Sequence, residues 1–107
     1  MRILIDECVP RPLRLEFPHH DVRTIREMGW AGQKNGALLA LMARAGFEVL
    51  LTVDRNLRHQ QNLSAVGVAI VVMVASSNRL ADLVPLIPAV ETALADIQAG
   101  DAVEIRA

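Results

Sequence analysis

Aromatic side chains are scarce in this 107-residue chain: Phe17, Trp30 and Phe47 are the whole set, and tyrosine is absent. A core built with so few of them has to be aliphatic, and Leu, Val, Ile and Ala supply it, with 52% of the residues apolar. That composition suits a parallel sheet buried on both faces by helices. Cysteine is reduced to Cys8, which excludes an intrachain disulfide and points to a reducing compartment. Lysine is reduced to Lys34 among eleven cationic residues, and the net charge is −1. The balance excludes the broad positive footprint of non-specific nucleic-acid binding. Arginine's planar fork nevertheless keeps local phosphate contacts open. Long apolar runs are missing too. The longest, Val66–Ala75, is about half of what a membrane span needs. The N-terminus has no basic region followed by a long apolar core, so no secretory signal is expected. These features predict a soluble, cytoplasmic protein with no membrane partner.

What is present reads as one globular domain over residues 1–107. The length allows a single sizeable core, and 21% charged residues place the chain outside the disordered class. Arg2–Ile5 reads as the first strand and ends in Asp6-Glu7. Pro10–Phe17 forms a short helix with Pro10 or Pro12 in its first turn. Asp21–Met28 alternates as a second strand. Gly29–Gly36 holds three glycines and is the clearest loop. Asn35 is the expected N-cap of a helix over Ala37–Ala45, which Gly46 stops.

Phe47–Val53 is a near-continuous apolar strand that ends at Asp54, as the first ends at Asp6. Arg55–Ser64 is polar, with a short helix tucking Leu57 and Leu63 inward. Val66–Ala75 is the next strand, central or near-central. Ser76–Arg79 caps a helix over Leu80–Gln98 that Pro88 should kink. Gly100 ends that helix, and Val103–Arg106 is a final edge strand. The alternation β-α-β-α-β-α-β-α-β predicts a doubly wound, mostly parallel α/β sheet of strand order 2-1-3-4-5.

That order makes the first and third strands neighbours and brings Asp6, Glu7 and Asp54 to one edge, where ligands of open α/β sheets sit. Clustered carboxylates repel one another unless a cation neutralises them. Hard Mg²⁺ or Mn²⁺ prefers such oxygens, and a metal there can activate water and stabilise charge on a phosphodiester. The competing reading is that Asp6 and Asp54 only cap the helices after their strands. Asn56, Gln60 and Gln61 can hydrogen-bond bases or phosphate, and Arg55 can bind phosphate. Asn78 and Arg79 open a helix, where N–H groups attract anions, although capping explains that segment equally well. Trp30 can stack on a base, with a loop anchor or a dimer contact as the blander role. Cys8 reads as a buried packing thiol. His19-His20 lacks further ligands for zinc.

Ile3-Leu4-Ile5-Asp6-Glu7-Cys8-Val9-Pro10 resembles the opening of the compact PIN-like domain family, related to the PIN nucleases. Glu27–Gly32, Asn35-Gly36-Ala37-Leu38-Leu39 and Leu51–Leu57 extend the resemblance to about Leu63, and more loosely beyond. It implies a three-layer α/β/α sandwich and a Mg²⁺- or Mn²⁺-dependent endoribonuclease site, in many relatives that of a toxin from a toxin–antitoxin pair. By the same resemblance Asp6 and Asp54 are metal ligands, with Glu7 adjacent as a third catalytic carboxylate, and Asn35 stands near the site as a substrate contact. Asn35, Ala37 and Asn56 occupy positions where relatives carry acidic residues. RNA, an antitoxin protein and a second copy of the chain are the candidate partners. A degenerate PIN-like module that binds RNA or protein without cutting is the alternative. A phosphoacceptor receiver-like domain has the same strand order, with Asp54 as acceptor, but needs a lysine after its last strand; the sole lysine is Lys34.

Overall fold

Short aliphatic runs bounded by turn residues form the strands, each confined to the stretch that neighbours cover. The computed structural model describes residues 1–59 and 63–106. Five strands form one sheet: β1 (Arg2–Ile5), β2 (Asp21–Thr24), β3 (Val49–Thr52), β4 (Ala69–Val74) and β5 (Ala102–Arg106). Their order is β2-β1-β3-β4-β5 and every pairing is parallel, the order expected from the alternation of elements. The helices are α1 (Asn35–Arg44), α2 (Leu63–Val66), α3 (Leu80–Leu83) and α4 (Ile87–Asp96), with 3-10 turns at Arg11–Glu16, Arg55–His59 and Val84–Leu86.

Side chains alternate across a strand, and here the alternation separates two cores. Ile3, Ile5, Val49, Leu51, Val71 and Met73 face one side, where they meet Leu13, Phe17, Leu83, Val90 and Leu94. Leu4, Leu50, Ile70 and Val72 face the other, against Leu38, Leu39 and Met42 of α1 and against Leu57 and Leu63. The result is a three-layer α/β/α sandwich. The segment after β1 covers the first face and the segment after β3 covers the second, so the chain parts between these neighbours. That divide is the topological switch point, the crevice where such sheets take ligands. Among the described residues no helix is long and apolar enough to cross a membrane.

Several boundaries differ from the sequence expectation, each for a local reason. β2 stops at Thr24, not Met28, because Thr24 and Glu27 close the chain on itself. The Thr24 N–H donates to Glu27 Oε1 and the Glu27 N–H donates to Thr24 Oγ1, both at 3.1 Å. This reciprocal pair is the capping-box arrangement, used here to turn the strand. β4 begins at Ala69 because Leu63–Val66 coils into a helical turn first. Asn35 is not the N-cap of α1. The cap position is Lys34, without a side-chain hydrogen bond, and Asn35 already lies in the helix. The expected helix over Leu80–Gln98 is broken at Val84–Leu86. Pro85 and Pro88 lack N–H donors and crowd the preceding turn, so the chain tightens to a 3-10 turn before α4.

Gly46 stops its helix as expected, whereas α4 already ends at Asp96 with Ile97 extended, and Gly100 instead turns the chain into β5. At Gly46 (φ +82°) the N–H donates to the Ala43 carbonyl at 3.1 Å and Phe47 N–H to that of Met42 at 2.9 Å, the Schellman pattern. A Cβ at Gly46 meets only Arg2 Nε at ordinary contact distance, whereas at Gly100 (φ +95°) it runs into the Ser64 side chain and backbone. In urea unfolding, Gly46→Ala is therefore expected to cost about 1–2 kcal/mol from the left-handed backbone alone. Gly100→Ala should cost more than Gly46→Ala; equal losses would show that Ser64 yields freely.

Candidate active site

The site grows out of the pairing of β1 with β3. Ile5 pairs with Leu51, and the Asp6 N–H continues the ladder to the Leu51 carbonyl at 3.0 Å. Period-two alternation then sends Asp6 and Thr52 to the same side of the sheet edge. Thr52 is fully buried. Its hydroxyl donates to Asp6 Oδ2 at 2.8 Å and accepts the Asp54 N–H at 3.0 Å. With donor and acceptor both engaged, a buried hydroxyl is a rigid connector. It fixes the Asp6 carboxylate and, through the backbone, the start of the segment that carries Asp54.

Asp6 Oδ1 accepts the Glu7 N–H at 2.8 Å, and the Asp6 carbonyl accepts the Val9 N–H at 3.0 Å. These bonds turn the chain sharply out of β1. Asp54 Oδ1 accepts the Asn56 N–H at 3.0 Å and so caps the 3-10 turn over Arg55–His59. The capping role weighed for Asp54 is real. It engages one oxygen, and a carboxylate has about four acceptor sites. Glu7 turns away to the glycine-rich loop, where its Oε1 accepts the Gly32 N–H at 3.1 Å. The structure thus links Asp6 to Asp54 through Thr52 and engages Glu7 with the loop.

The remaining residues singled out in the sequence are spread along the same edge. Arg55 and Asn56 are exposed just beyond Asp54, Asn35 is half-buried in the first turn of α1, and Asn78 and Arg79 are exposed after β4. Gln60 and Gln61 lie outside the described residues. The Ser76–Arg79 segment is held by its own capping. Ser77 Oγ accepts the Arg79 N–H at 3.1 Å and donates to the Asp82 carboxylate, so an acidic side chain already occupies the first turn of α3. Trp30 is a loop anchor: its ring meets Phe47 edge-on at 6.0 Å between centroids.

Cys8 corrects an expectation. It is exposed, not a buried packing thiol. Three residues beyond the end of β1 it sits in the turn over the edge, with its sulfur facing in, 3.5 Å from Asp6 Oδ2 and 3.6 Å from Thr52 Oγ1. Burial of the sulfur pushes the thiol pKa up, the Val53 backbone and Thr52 pull it down, and Asp6 pushes it up. The residue that sequence reasoning misses is Thr52. Its signal lies in the Thr-x-Asp spacing: a hydroxyl two positions before Asp54 on the strand beside Asp6.

Asp6 and Asp54 offer hard carboxylate oxygens, the donor chemistry that Mg²⁺ or Mn²⁺ takes while retaining waters. In that sense the residues fit the ion. Among the described residues no cluster of three or more His, Cys, Asp or Glu side chains forms a metal cage. Comparisons of the chain with family models, with curated proteins and with solved structures return no match.

This geometry has two measurable consequences. Thr52→Val keeps the shape but strands the Asp54 N–H and removes the donor to Asp6, so urea unfolding should show a loss of about 1–3 kcal/mol. Cys8 should stay protonated at neutral pH and react with iodoacetamide with a midpoint above the ordinary thiol value of roughly 8.5. Asp6→Asn removes the negative charge and a bond that holds the proton on sulfur, so the midpoint should fall; an unchanged profile would mean that Asp6 does not sense the thiol.

Proposed function

We propose that the chain is a metal-dependent endoribonuclease of PIN type, acting in the cytoplasm, with Asp6 and Asp54 as the metal-holding carboxylates. The observation that carries this reading is the buried Thr52 hydroxyl, which ties the Asp6 carboxylate to the Asp54 backbone at 2.8 and 3.0 Å. It sits at the switch point of the sheet, where binding sites of this architecture form. The PIN-like pattern of the opening strand and of the Thr-x-Asp segment supports the same assignment. When bound, Mg²⁺ or Mn²⁺ supplies Lewis-acid charge and a water of lowered pKa. The chain's own contribution is orientation. Thr52 restricts the rotation of the Asp6 carboxylate, the Asn56 N–H restricts that of Asp54, and Glu7 holds the glycine-rich loop beside the site through Gly32.

A second reading is favoured by the same bonds. Asp54 caps a helical turn and Glu7 pins a loop, so both carboxylates have structural duties that persist without catalysis. A PIN-like module that binds RNA, or a protein such as an antitoxin, without cutting would keep them.

Cleavage of a mixed-sequence single-stranded RNA in the presence of Mn²⁺ separates the two. The nuclease reading expects Mn²⁺-dependent product, lost with EDTA and reduced roughly 10²–10³-fold in Asp6→Asn, the scale of removing one preorganised electrostatic contact. Cleavage that survives Asp6→Asn, or its absence in the wild type at saturating Mn²⁺, would leave the binding module. Mn²⁺ should also raise the wild-type melting temperature by mass action, an effect Asp6→Asn should abolish.

A further inference from the structure

One concavity has no role in the assignments above. A cleft of about 550 Å³ opens at the carboxyl ends of β1 and β2, on the other side of β1 from Thr52 and Asp54. Its apolar surface comes from half-buried Pro10, lying over Ile5, Val9 and Ile25, which are almost fully covered. Arg11 and Arg26 line it as well and are exposed, so they form its rim. Asp6 belongs both to the wall of this cleft and to the Thr52 linkage. The cleft and the candidate metal site therefore meet at one carboxylate.

Charge in the cleft is unevenly engaged. Glu27 accepts the Arg14 guanidinium at 3.1 Å and the Thr24 N–H at 3.1 Å. The Thr24 bonds, followed by Arg14 and then Arg11, hold its carboxyl below the usual range. Glu27 is thus ionised and balanced by Arg14. Glu7 is bound to Gly32. Arg11 and Arg26 form no ion pair among the described residues. Two uncommitted guanidinium forks over an apolar floor, next to a carboxylate suited to a hard cation, match one repeating chemistry. The forks fit phosphate, the floor fits a base face, and the volume lies within the roughly 300–1,000 Å³ typical of small-ligand sites. A cleft of this size takes an unstacked nucleotide, and single-stranded RNA is the form that offers one.

We propose that this cleft seats one nucleotide of a single-stranded RNA beside the phosphodiester presented to Asp6, with Arg11 and Arg26 holding its backbone phosphates. The seat rests on the metal-site reading, because a phosphate approaches Asp6 only with a cation between them. It places the strand on the β1–β2 side of the edge, and not along Arg55, Asn56 and Arg79, where the sequence pattern suggests substrate contacts. With a net charge of −1, affinity comes from this local seat and not from a broad electrostatic surface.

The test is fluorescence anisotropy of a labelled short single-stranded RNA with the full chain in Ca²⁺, a hard cation that supports carboxylate–phosphate bridging. Arg11→Ala/Arg26→Ala should weaken binding about tenfold or more, the scale of losing charge-assisted hydrogen bonds. Arg55→Ala/Arg79→Ala should leave it within about twofold of wild type. The wild-type slope of log K against log salt should be about −1.4, two single-strand contacts at about −0.7 each, and should approach zero in the Arg11/Arg26 variant. Both arginines are exposed and form no ion pair among the described residues, so the melting temperature should not move.

Wild-type affinity in the Arg11/Arg26 variant overturns the seat. So does a mononucleotide that binds as tightly as the strand, which would make the cleft a free-nucleotide pocket. Binding of an acidic peptide but not of RNA overturns it in favour of protein docking. RNA binding through Arg11 and Arg26 without Mn²⁺-dependent cleavage removes the nuclease reading and leaves the seat. Cleavage that persists unchanged in the Arg11/Arg26 variant removes the seat and leaves the nuclease.

Discussion

The parallel pairing of β1 with β3 is the constraint on which the rest depends. It brings two strand ends together from segments 46 residues apart, and it does so in a register that sets Asp6 beside Thr52. A one-residue slip of either strand would turn its side chains to the opposite face, parting Asp6 from Thr52 and mixing the aliphatic sets that separate the two cores. Leu4 and Leu50 are each fully buried on one face, as are Ile5 and Leu51 on the other, at exposures of 1% or less. The hydrophobic alternation therefore fixes the register from within, and the Thr52 hydroxyl closes it at the edge. Packing energy deep in the sheet is converted into the placement of a polar group at its rim.

Much of this architecture is legible in the residues. The opening Arg2–Ile5 strand, the aliphatic run before Asp54 and the succession of elements suffice for the class, the strand order and the shared edge. The discrepancies lie at the ends of elements. Thr24 and Glu27 form a capping box at the close of a strand, a place where that pattern is read as a helix start, so β2 is shorter than its alternation suggests. Asn35 has the chemistry of an N-cap but lies one residue inside α1. Val66 looks like the beginning of the apolar strand that starts only at Ala69, because a short apolar run does not distinguish a helical turn from a buried strand. Residue type places Cys8 in the interior, whereas its position in the turn exposes it. In each case a local hydrogen bond or turn prevails over a propensity that is only a weak prior.

Within the site, residue type alone is less informative than connection. Three carboxylates are expected to act as a group, yet Glu7 is bound to Gly32 and Asp54 caps the turn that follows it. Thr52, an ordinary strand residue by propensity, is the member that relates the other two. Charge shows the same principle. The chain as a whole is slightly acidic, which argues against electrostatic capture over a wide surface. The pairing of Arg14 with Glu27 leaves Arg11 and Arg26 as the cations at the cleft, a local asymmetry that composition conceals.

On the proposed nuclease reading, hydrogen-bond capacity decides how the two aspartates would share a cation. A carboxylate accepts about four bonds. Asp6 already receives the Glu7 N–H on Oδ1 and the Thr52 hydroxyl on Oδ2, with the Cys8 thiol at 3.5 Å from Oδ2. Asp54 receives the Asn56 N–H on Oδ1. Asp6 is thus the more firmly oriented of the pair and has the less spare capacity, while Asp54 has the more. A hard cation keeps several waters and asks each carboxylate for as little as one oxygen, so on that reading this unequal pair would hold it without either residue abandoning its structural bond. The same capping and turn-forming bonds that make the site look structural would then also preorganise it. Under that reading catalytic use and structural duty would be compatible in Asp6 and Asp54, and would compete in Glu7, which is turned toward the loop.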